Sequence, residues 1–239
     1  MRLRLAAMTF AAMGAVALTT AAVAEANGVA YYGLRGSYIT TEDGSSVGSM
    51  NFAYDIEYNE GFGVAVFLGW VLDDHFRLEA EGGFRSADID RVLVVRDSTT
   101  PTPYVLPGQV LDAGDNVEAT TAMVNLYYDI HLFDWEVLPW VGAGAGAAYL
   151  DVSIDSAAVP DPYNPPPATI VVFQGKDNTW AFAYQFMAGI TVPIGEAMSF
   201  TAGYRFFQTE DFVYVDALGE EFETNLTQHS VDLGVQIHL

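Results

Sequence analysis

Eight segments of this sequence alternate between apolar and polar residues, and the connections between them alternate between short and long. Every second side chain in each segment is apolar, which is the period of a β-strand. Each segment has at least the 9 to 11 residues, roughly, that a tilted strand needs to cross a bilayer. The eight predicted strands lie near Val29 to Ile39, Gly61 to Leu72, His75 to Arg85, Glu118 to Leu132, Leu138 to Asp151, Thr179 to Val192, Met198 to Gln208, and Thr224 to Leu239.

The lengths of the connections separate a membrane barrel from a soluble sandwich. The connections after the second, fourth and sixth strands are tight turns, such as Asp73-Asp74 and Gly195-Glu196. The other four are long, and they cover Thr40 to Glu60, Ser86 to Val117, Val152 to Asn178, and Thr209 to Glu223. Short periplasmic turns and long external loops are typical of outer-membrane barrels. The sequence therefore predicts an all-β fold: an eight-stranded antiparallel up-and-down transmembrane β-barrel, with the last strand pairing with the first.

The N-terminal 24 residues have the composition of a secretory signal peptide. Arg2 and Arg4 precede an apolar stretch from Leu5 to Leu18, and Ala22-Val23-Ala24 fits an A-x-A cleavage site. A single membrane-anchoring helix is the alternative, but the apolar stretch is short for one. We expect residues 1–24 to be a cleaved signal peptide and residues 25–239 to form the barrel domain in the bacterial outer membrane.

The charge balance and the absence of cysteine exclude several classes of function. The formal net charge of the full chain is −22, so the phosphates of nucleic acid would be repelled. The chain contains no cysteine, which excludes disulfides and thiol catalysis. We expect no nucleic-acid partner.

Charged residues on the predicted strands fall on the face opposite the apolar one. In a membrane barrel that face lines the lumen, and an eight-stranded lumen is just wide enough to be filled by side chains. Unpaired charges there would be costly, so we predict a connected network of ion pairs. The predicted lumen network consists of Arg35, Arg77, Glu79, Glu81, Arg85, Asp129, His131, Arg205 and Asp232. Gly142, Gly144 and Gly146 are expected to leave room for the arginine side chains.

The sequence offers no pattern for a catalytic or metal site. Most acidic residues lie in the predicted long loops, where they favour a solvated surface; divalent-cation binding is the alternative. Asp88-x-Asp90 and Asp112-x-x-Asp115 lack the ligand spacing of a defined calcium loop. Adjacent strand residues point to opposite faces, so His229 and Ser230 cannot form a nucleophile and base pair by themselves. We predict no enzymatic activity, no cofactor and no metal.

Two strands and the C-terminus resemble a known family. The segments Phe76 to Arg85 and Trp140 to Gly146 resemble the third and fifth strands of small outer-membrane β-barrel proteins, which include the opacity-type proteins and the OmpA-like transmembrane barrel. The ending is similar to the assembly signal of that family, with Asp232, Gly234, Ile237 and Leu239 at the signal positions, although Leu239 replaces the usual final aromatic residue. The resemblance implies insertion by the outer-membrane assembly machinery, contact with outer-membrane lipid and lipopolysaccharide, and function carried by the external loops.

Three functional hypotheses remain open at this point. The first is a structural or surface-interaction barrel with four long acidic external loops that bind a surface ligand, and with a lumen plugged by the charge network. The second is a small channel for ions or apolar solutes. The third and weakest is a lipid-modifying barrel enzyme. Fold alone does not choose among them.

Overall fold

The computed structural model describes residues 30–48, 53–96, 110–131, 137–160, 169–215 and 221–239. The predicted signal peptide with its cleavage site, and the predicted turn at residues 133–136, lie outside these residues. The strands are β1 (Tyr31–Thr41), β2 (Gly44–Gly48), β3 (Ala53–Val71), β4 (Phe76–Arg96), β5 (Val110–Asp129), β6 (Leu138–Pro160), β7 (Thr169–Pro193), β8 (Met198–Thr209), β9 (Phe212–Val215), β10 (Glu221–Thr224) and β11 (Thr227–His238).

Eight long strands form a closed antiparallel barrel. β3, β4, β5, β6, β7 and β8 pair in chain order, β8 pairs with β11, and β1 lies between β11 and β3. Tyr31 is opposite His238 and Ser37 is opposite Asp232, so the closing strand is in register along its whole length. The predicted eight-stranded barrel and the pairing of its last strand with its first are therefore confirmed.

The two faces of the barrel wall have the reverse of a soluble protein's polarity. Large apolar side chains on the outer face are exposed, including Leu34 at 59%, Phe186 at 56% and Trp180 at 67%. On the inner face, Glu79 and Arg205 are only 1% and 2% exposed. Apolar side chains belong outside only when the surroundings are also apolar, as lipid is. No helix within the described ranges is long and apolar enough to cross a membrane.

The prediction that the four long external connections are loops is wrong in one respect, because the strands continue through much of them. β4 runs on to Arg96, β5 begins at Val110, β6 ends at Pro160 and β7 begins at Thr169. The ladders continue with local irregularities, as between Ile89 and Arg91. Apolar and polar residues alternate only where the outer face of a strand contacts lipid. Beyond the lipid the outer face becomes polar, so the alternation ends before the strand does.

Three short strands extend the wall beyond the membrane-spanning part. β2 pairs with both β3 and β10, and β10 pairs with β9. Together with the outer parts of β3 to β7 they form a structured external extension of the barrel. Asp88, Asp90, Asp112 and Asp115, predicted to be loop residues, lie on the strands of this extension. The described external part of the protein is therefore largely β-sheet.

The turn between β3 and β4 is fixed by one carboxylate. Asp73 Oδ1 accepts hydrogen bonds from the backbone N–H groups of His75 and Phe76, each at 2.8 Å. These bonds favour the charged form of the carboxyl and hold the pKa of Asp73 below its ordinary range. The turn is thus closed by the Asx type of side-chain contact that tight turns use.

Replacing Asp73 with alanine is expected to speed amide hydrogen exchange at His75 and Phe76, because both donors lose their acceptor. In the unchanged protein the protection of both amides, taken relative to their intrinsic exchange rate at each pH, is expected to fall as the pH drops below about 4. A carboxyl with a lowered folded-state pKa stabilises the turn above its unfolded pKa and loses that effect on protonation. Exchange measured by NMR tests this, and Glu196→Ala in another exposed turn is the control. Unchanged exchange in the Asp73 variant would show that the contact does not hold the turn.

Candidate functional site: the barrel interior

The periplasmic half of the lumen contains a buried ion pair with two further polar partners. Arg77 donates to both carboxylate oxygens of Asp129, from Nε at 2.6 Å and from Nη2 at 2.8 Å. Its Nη1 donates to the Tyr31 hydroxyl at 2.8 Å, and that hydroxyl donates to Glu79 at 2.9 Å. Two parallel hydrogen bonds make the arginine–carboxylate pair strong and directional. The pair is thus linked through Tyr31 to the next carboxylate along the lumen.

The centre of the lumen continues the same chain with alternating charges. Arg35 contacts Glu79 at 3.4 Å and forms an ion pair with Glu81. Glu81 also binds Arg205 at 2.5 Å, and Arg205 Nε donates to Asp232 at 2.8 Å. Four strands, β1, β4, β8 and β11, supply these side chains, so the chain of contacts crosses the lumen from wall to wall. Glu81 is the central member, because it accepts from two arginines of different strands.

Neutral amides extend the contacts of the charged groups to β5 and β7. Arg205 donates to Gln185 Oε1 at 2.9 Å, and Gln185 Nε2 donates to Asn125 Oδ1 at 2.7 Å. Asn125 is fully buried, and it lies against Gly144: a Cβ built there would be 1.9 Å from Asn125 Oδ1. The glycines of β6 do leave room, but for neighbouring side chains such as Asn125 and Tyr127, rather than for the predicted arginines.

Arg85 differs from the other lumen arginines in its contacts. Its guanidinium carbon lies 4.5 Å from the centre of the Phe207 ring, and its Nη1 is 3.5 Å from Gln228 Oε1. A cation over an aromatic face is attracted by the quadrupole of the ring. Arg85 therefore connects the charged interior with the apolar interior that follows.

The external end of the lumen is filled by apolar side chains, which sequence reasoning missed. Ile39, Leu150 and Phe207 have no exposed surface at all. Other buried members of this apolar layer are Ile56, Ala87, Ile89, Val117 and Val152. The sequence does contain a signal for this layer. Ala87, Ile89 and Val117 lie in predicted loops, but they continue the every-second-residue spacing of the lumen-facing positions in the neighbouring strands. The lumen thus has two layers, one charged and one apolar.

Eight of the nine predicted lumen-network residues are buried inside the barrel. His131 is the exception: β5 ends at Asp129, so the alternation of faces no longer applies, and the exposed His131 ring packs edge-on against His75 at 5.2 Å. Trp140 on β6 faces the lumen as well and is 7% exposed. The role of the network in function stays a prediction.

The predicted assembly-signal residues divide between the two faces of β11 and its end. Asp232 binds Arg205 in the lumen, and Gly234 also faces inward, where an added Cβ would be 2.6 Å from the Thr201 hydroxyl. Ile237 and Leu239 are exposed on the outside, at 37% and 57%. Recognition of these residues by the assembly machinery stays a prediction.

Two histidines make contacts that the sequence did not indicate. His229 lies on the outer face and connects Tyr204, at 2.5 Å from its Nδ1, with Glu42, at 2.6 Å from its Nε2. At the periplasmic mouth, Ser199 Oγ lies 2.9 Å from His238 Nε2. All three contacts join residues that are far apart in the sequence, so none could be found from local spacing.

Comparisons with known proteins agree with this architecture. The family described as "Outer membrane protein beta-barrel domain" matches residues 8–238. No curated protein matches the sequence. Among solved structures, OprG from Pseudomonas aeruginosa is 11% identical with a TM-score of 0.49, over 89% of this chain and 98% of that chain. Neisserial surface protein A is 12% identical with a TM-score of 0.46, over 87% of this chain and 97% of its own.

Proposed function

Because this chain belongs to the outer membrane protein beta-barrel domain family and lies in the bacterial outer membrane, we propose that it is a non-enzymatic structural and surface-interaction barrel with a closed lumen. The observation that carries the closed lumen is the succession of two buried layers. Hydrated ions would have to break the buried ion pairs around Glu81 and then enter the apolar layer around Phe207. Each layer alone opposes passage, since one costs broken ion pairs and the other costs desolvation.

Conductance in planar bilayers tests the closed lumen against the alternative of a small channel. We expect purified protein to give no steady openings. The double variant Glu81→Ala/Phe207→Ala removes one group from each layer and is expected to conduct. Steady openings by the unchanged protein would establish the channel alternative, and a silent double variant that still migrates as a folded barrel would show that other groups close the lumen.

The interaction surface lies on the external extension, and its charge selects the partner. The described external residues include exposed carboxylates on both short strands and connections, namely Glu42, Asp43, Asp88, Glu210, Asp211, Glu221 and Glu223. Four of the arginines that could offset them are buried in the lumen, where they are occupied with lumen carboxylates or with Phe207. A surface of this kind attracts cationic partners and repels anionic ones, with an attraction that salt weakens. The ligand of the extension is therefore a positively charged surface or polypeptide.

Replacing exposed external carboxylates with their amides separates this role from barrel stability. The variant Glu210→Gln/Asp211→Asn/Glu221→Gln/Glu223→Gln removes four negative charges from exposed positions and leaves the lumen unchanged. We expect it to assemble normally and to bind cationic beads or cells less well than the unchanged protein. Equal binding, or binding that salt does not weaken, would contradict the charged interaction surface.

The export route belongs to the same proposal. A secretory signal peptide at residues 1–24 and insertion by the outer-membrane assembly machinery account for the location of the barrel. N-terminal sequencing of the mature protein tests the cleavage after Ala24, and an intact N-terminus in the outer membrane would contradict it.

A further inference from the structure

The periplasmic mouth of the barrel contains a cavity that the closed-lumen proposal does not use. Its volume is about 290 Å³, near the lower end of known small-molecule sites. It lies between β1, β4 and β5 on one side and β7, β8 and β11 on the other. Its polar lining includes Tyr31, Arg77, Asp129, Thr191, Ser199 and His238. We call this cavity the periplasmic vestibule.

The charged groups of the periplasmic vestibule already have partners. Arg77 and Asp129 are joined by two hydrogen bonds, at 2.6 and 2.8 Å, and the Tyr31 hydroxyl is held between Arg77 and Glu79. An anionic ligand would approach Asp129 and the exposed rim residue Glu196, while a cationic one would approach Arg77. Neither an anionic nor a cationic ligand would find an unpaired group of opposite charge, so the vestibule favours a neutral ligand.

One polar side chain of the vestibule is buried without a partner in the described structure. Thr191 is 7% exposed, lines the cavity, and its hydroxyl makes no hydrogen bond with the described residues. The indole N–H of Trp140 on β6, which is not part of the vestibule lining, is also buried without a partner among the described residues. Leaving such groups unpaired costs free energy, so native proteins pair them with a ligand or with water.

Tyr31, Ser199 and His238 add groups that donate or accept hydrogen bonds, beside an apolar part of the lining from Val71, Leu138 and Pro193. The Ser199 hydroxyl lies 2.9 Å from His238 Nε2, and the rings of Tyr31 and His238 lie side by side with their centres 6.0 Å apart. Hydroxyl groups of a ligand can match this mixture, because each donates one hydrogen bond and accepts others. Carbon-bound hydrogens of such a ligand can contact the two rings.

From these observations we propose that the periplasmic vestibule binds a neutral, hydroxyl-rich molecule the size of a single sugar ring or a small polyol. The ligand enters from the periplasm and contacts Thr191, Ser199 and His238. The ion pair of Arg77 with Asp129 forms the charged part of the site. This inference is independent of the proposed external interaction surface.

The four histidines of the chain allow a direct test in the full-length folded protein. The imidazole NMR signals of isotope-labelled protein would be followed in titrations with N-acetylglucosamine and with glycerol, and the His238 signal identified by its loss in His238→Gln. We expect a saturable shift of the His238 signal in the millimolar range with one or both neutral probes. His75, His131 and His229 lie outside the vestibule, so their signals should not move. A response to glycerol alone would identify a polyol site, and a stronger response to the sugar would identify a saccharide site.

Two variants and two charged probes make the proposal falsifiable. Thr191→Val keeps the shape of the side chain and should weaken binding about tenfold, as expected for one lost hydrogen bond; Ser199→Ala is the second variant. Thr121→Val, at a buried lumen position that does not line the vestibule, is the matched control and should bind normally. Folding of each is checked by heat-modifiable gel migration. The proposal is overturned if no probe saturates, if all four histidines shift alike, if Thr191→Val binds normally, or if glucosamine or N-acetylmuramic acid is preferred.

Discussion

Glu81→Ala is expected to lower the free energy of unfolding by about 3–5 kcal/mol, the usual cost of removing one partner from a buried ion pair. The large effect follows from the position of Glu81, which accepts from both Arg35 and Arg205 in the centre of the lumen. Without the carboxylate, two buried arginines lose a counter-charge at once. Reversible unfolding in urea, with the protein in lipid vesicles and folding read from gel migration, gives the free-energy difference.

A control and a double variant separate this explanation from a general loss of packing. Glu210→Ala removes an exposed carboxylate and should change the free energy of unfolding little. Combining Glu81→Ala with Arg205→Met removes one of the unpaired charges along with the carboxylate. The double variant should therefore be less destabilised than the sum of the single variants. Additive effects would show that Glu81 and Arg205 act independently and would contradict the network.

Gly146→Ala is expected to prevent normal assembly of the barrel wall or to destabilise it severely. A Cβ at this inward-facing position would lie 2.0 Å from the backbone carbonyl oxygen of Ala122 and 2.8 Å from the Cα of Met123. Backbone atoms of a neighbouring strand cannot move aside as the end of a flexible side chain can. Relieving the contact would require β5 and β6 to separate, at a cost of at least about 1–3 kcal/mol, the usual range for an overpacked side chain that does not have to move a backbone.

The same barrel supplies a matched control for the glycine variant. Gly82 on β4 faces outward, and a Cβ built there would meet nothing within 4 Å. Gly82→Ala should therefore assemble like the unchanged protein or slightly better, because alanine restricts the unfolded chain more than glycine does. The fraction of heat-modifiable protein in outer membranes measures both variants. Equal assembly of the two would contradict the close approach of β5 and β6 at Gly146.

Much of the interior could be predicted from sequence because β-strands have a fixed period of two. Once Leu78 and Phe84 are placed toward lipid, Arg77, Glu79, Glu81 and Arg85 must face the lumen. Charges on that face must be paired, which predicts a network but not its pairs. Arg205 binds both Glu81 and Asp232, residues that lie far from each other in the sequence. Such pairing depends on the order of the strands and on their stagger. Alternation within one strand gives no information about either.

The failures of prediction have the same physical origin. The prediction for His131 extends the alternation beyond the end of β5. The apolar layer lies where alternation against lipid stops, so the same pattern does not reveal it. Outside the hydrocarbon region the outer face becomes polar, so a strand there resembles a loop in composition. The hydroxyl of Thr191 and the contact of Ser199 with His238 were also beyond sequence reasoning, because the strands that form the periplasmic vestibule meet only in the closed barrel.

By itself, the sequence determined that this protein is an eight-stranded outer-membrane barrel with apolar residues toward lipid and charges inside. Periodicity and connection length are local properties, and lipid on one side of the wall forces the polar groups to the other. Only the tertiary structure decided which charges pair, where the lumen changes from charged to apolar, and that the periplasmic mouth encloses a vestibule. Those features depend on the stagger of the strands around the closed barrel, which brings together residues that no local pattern relates.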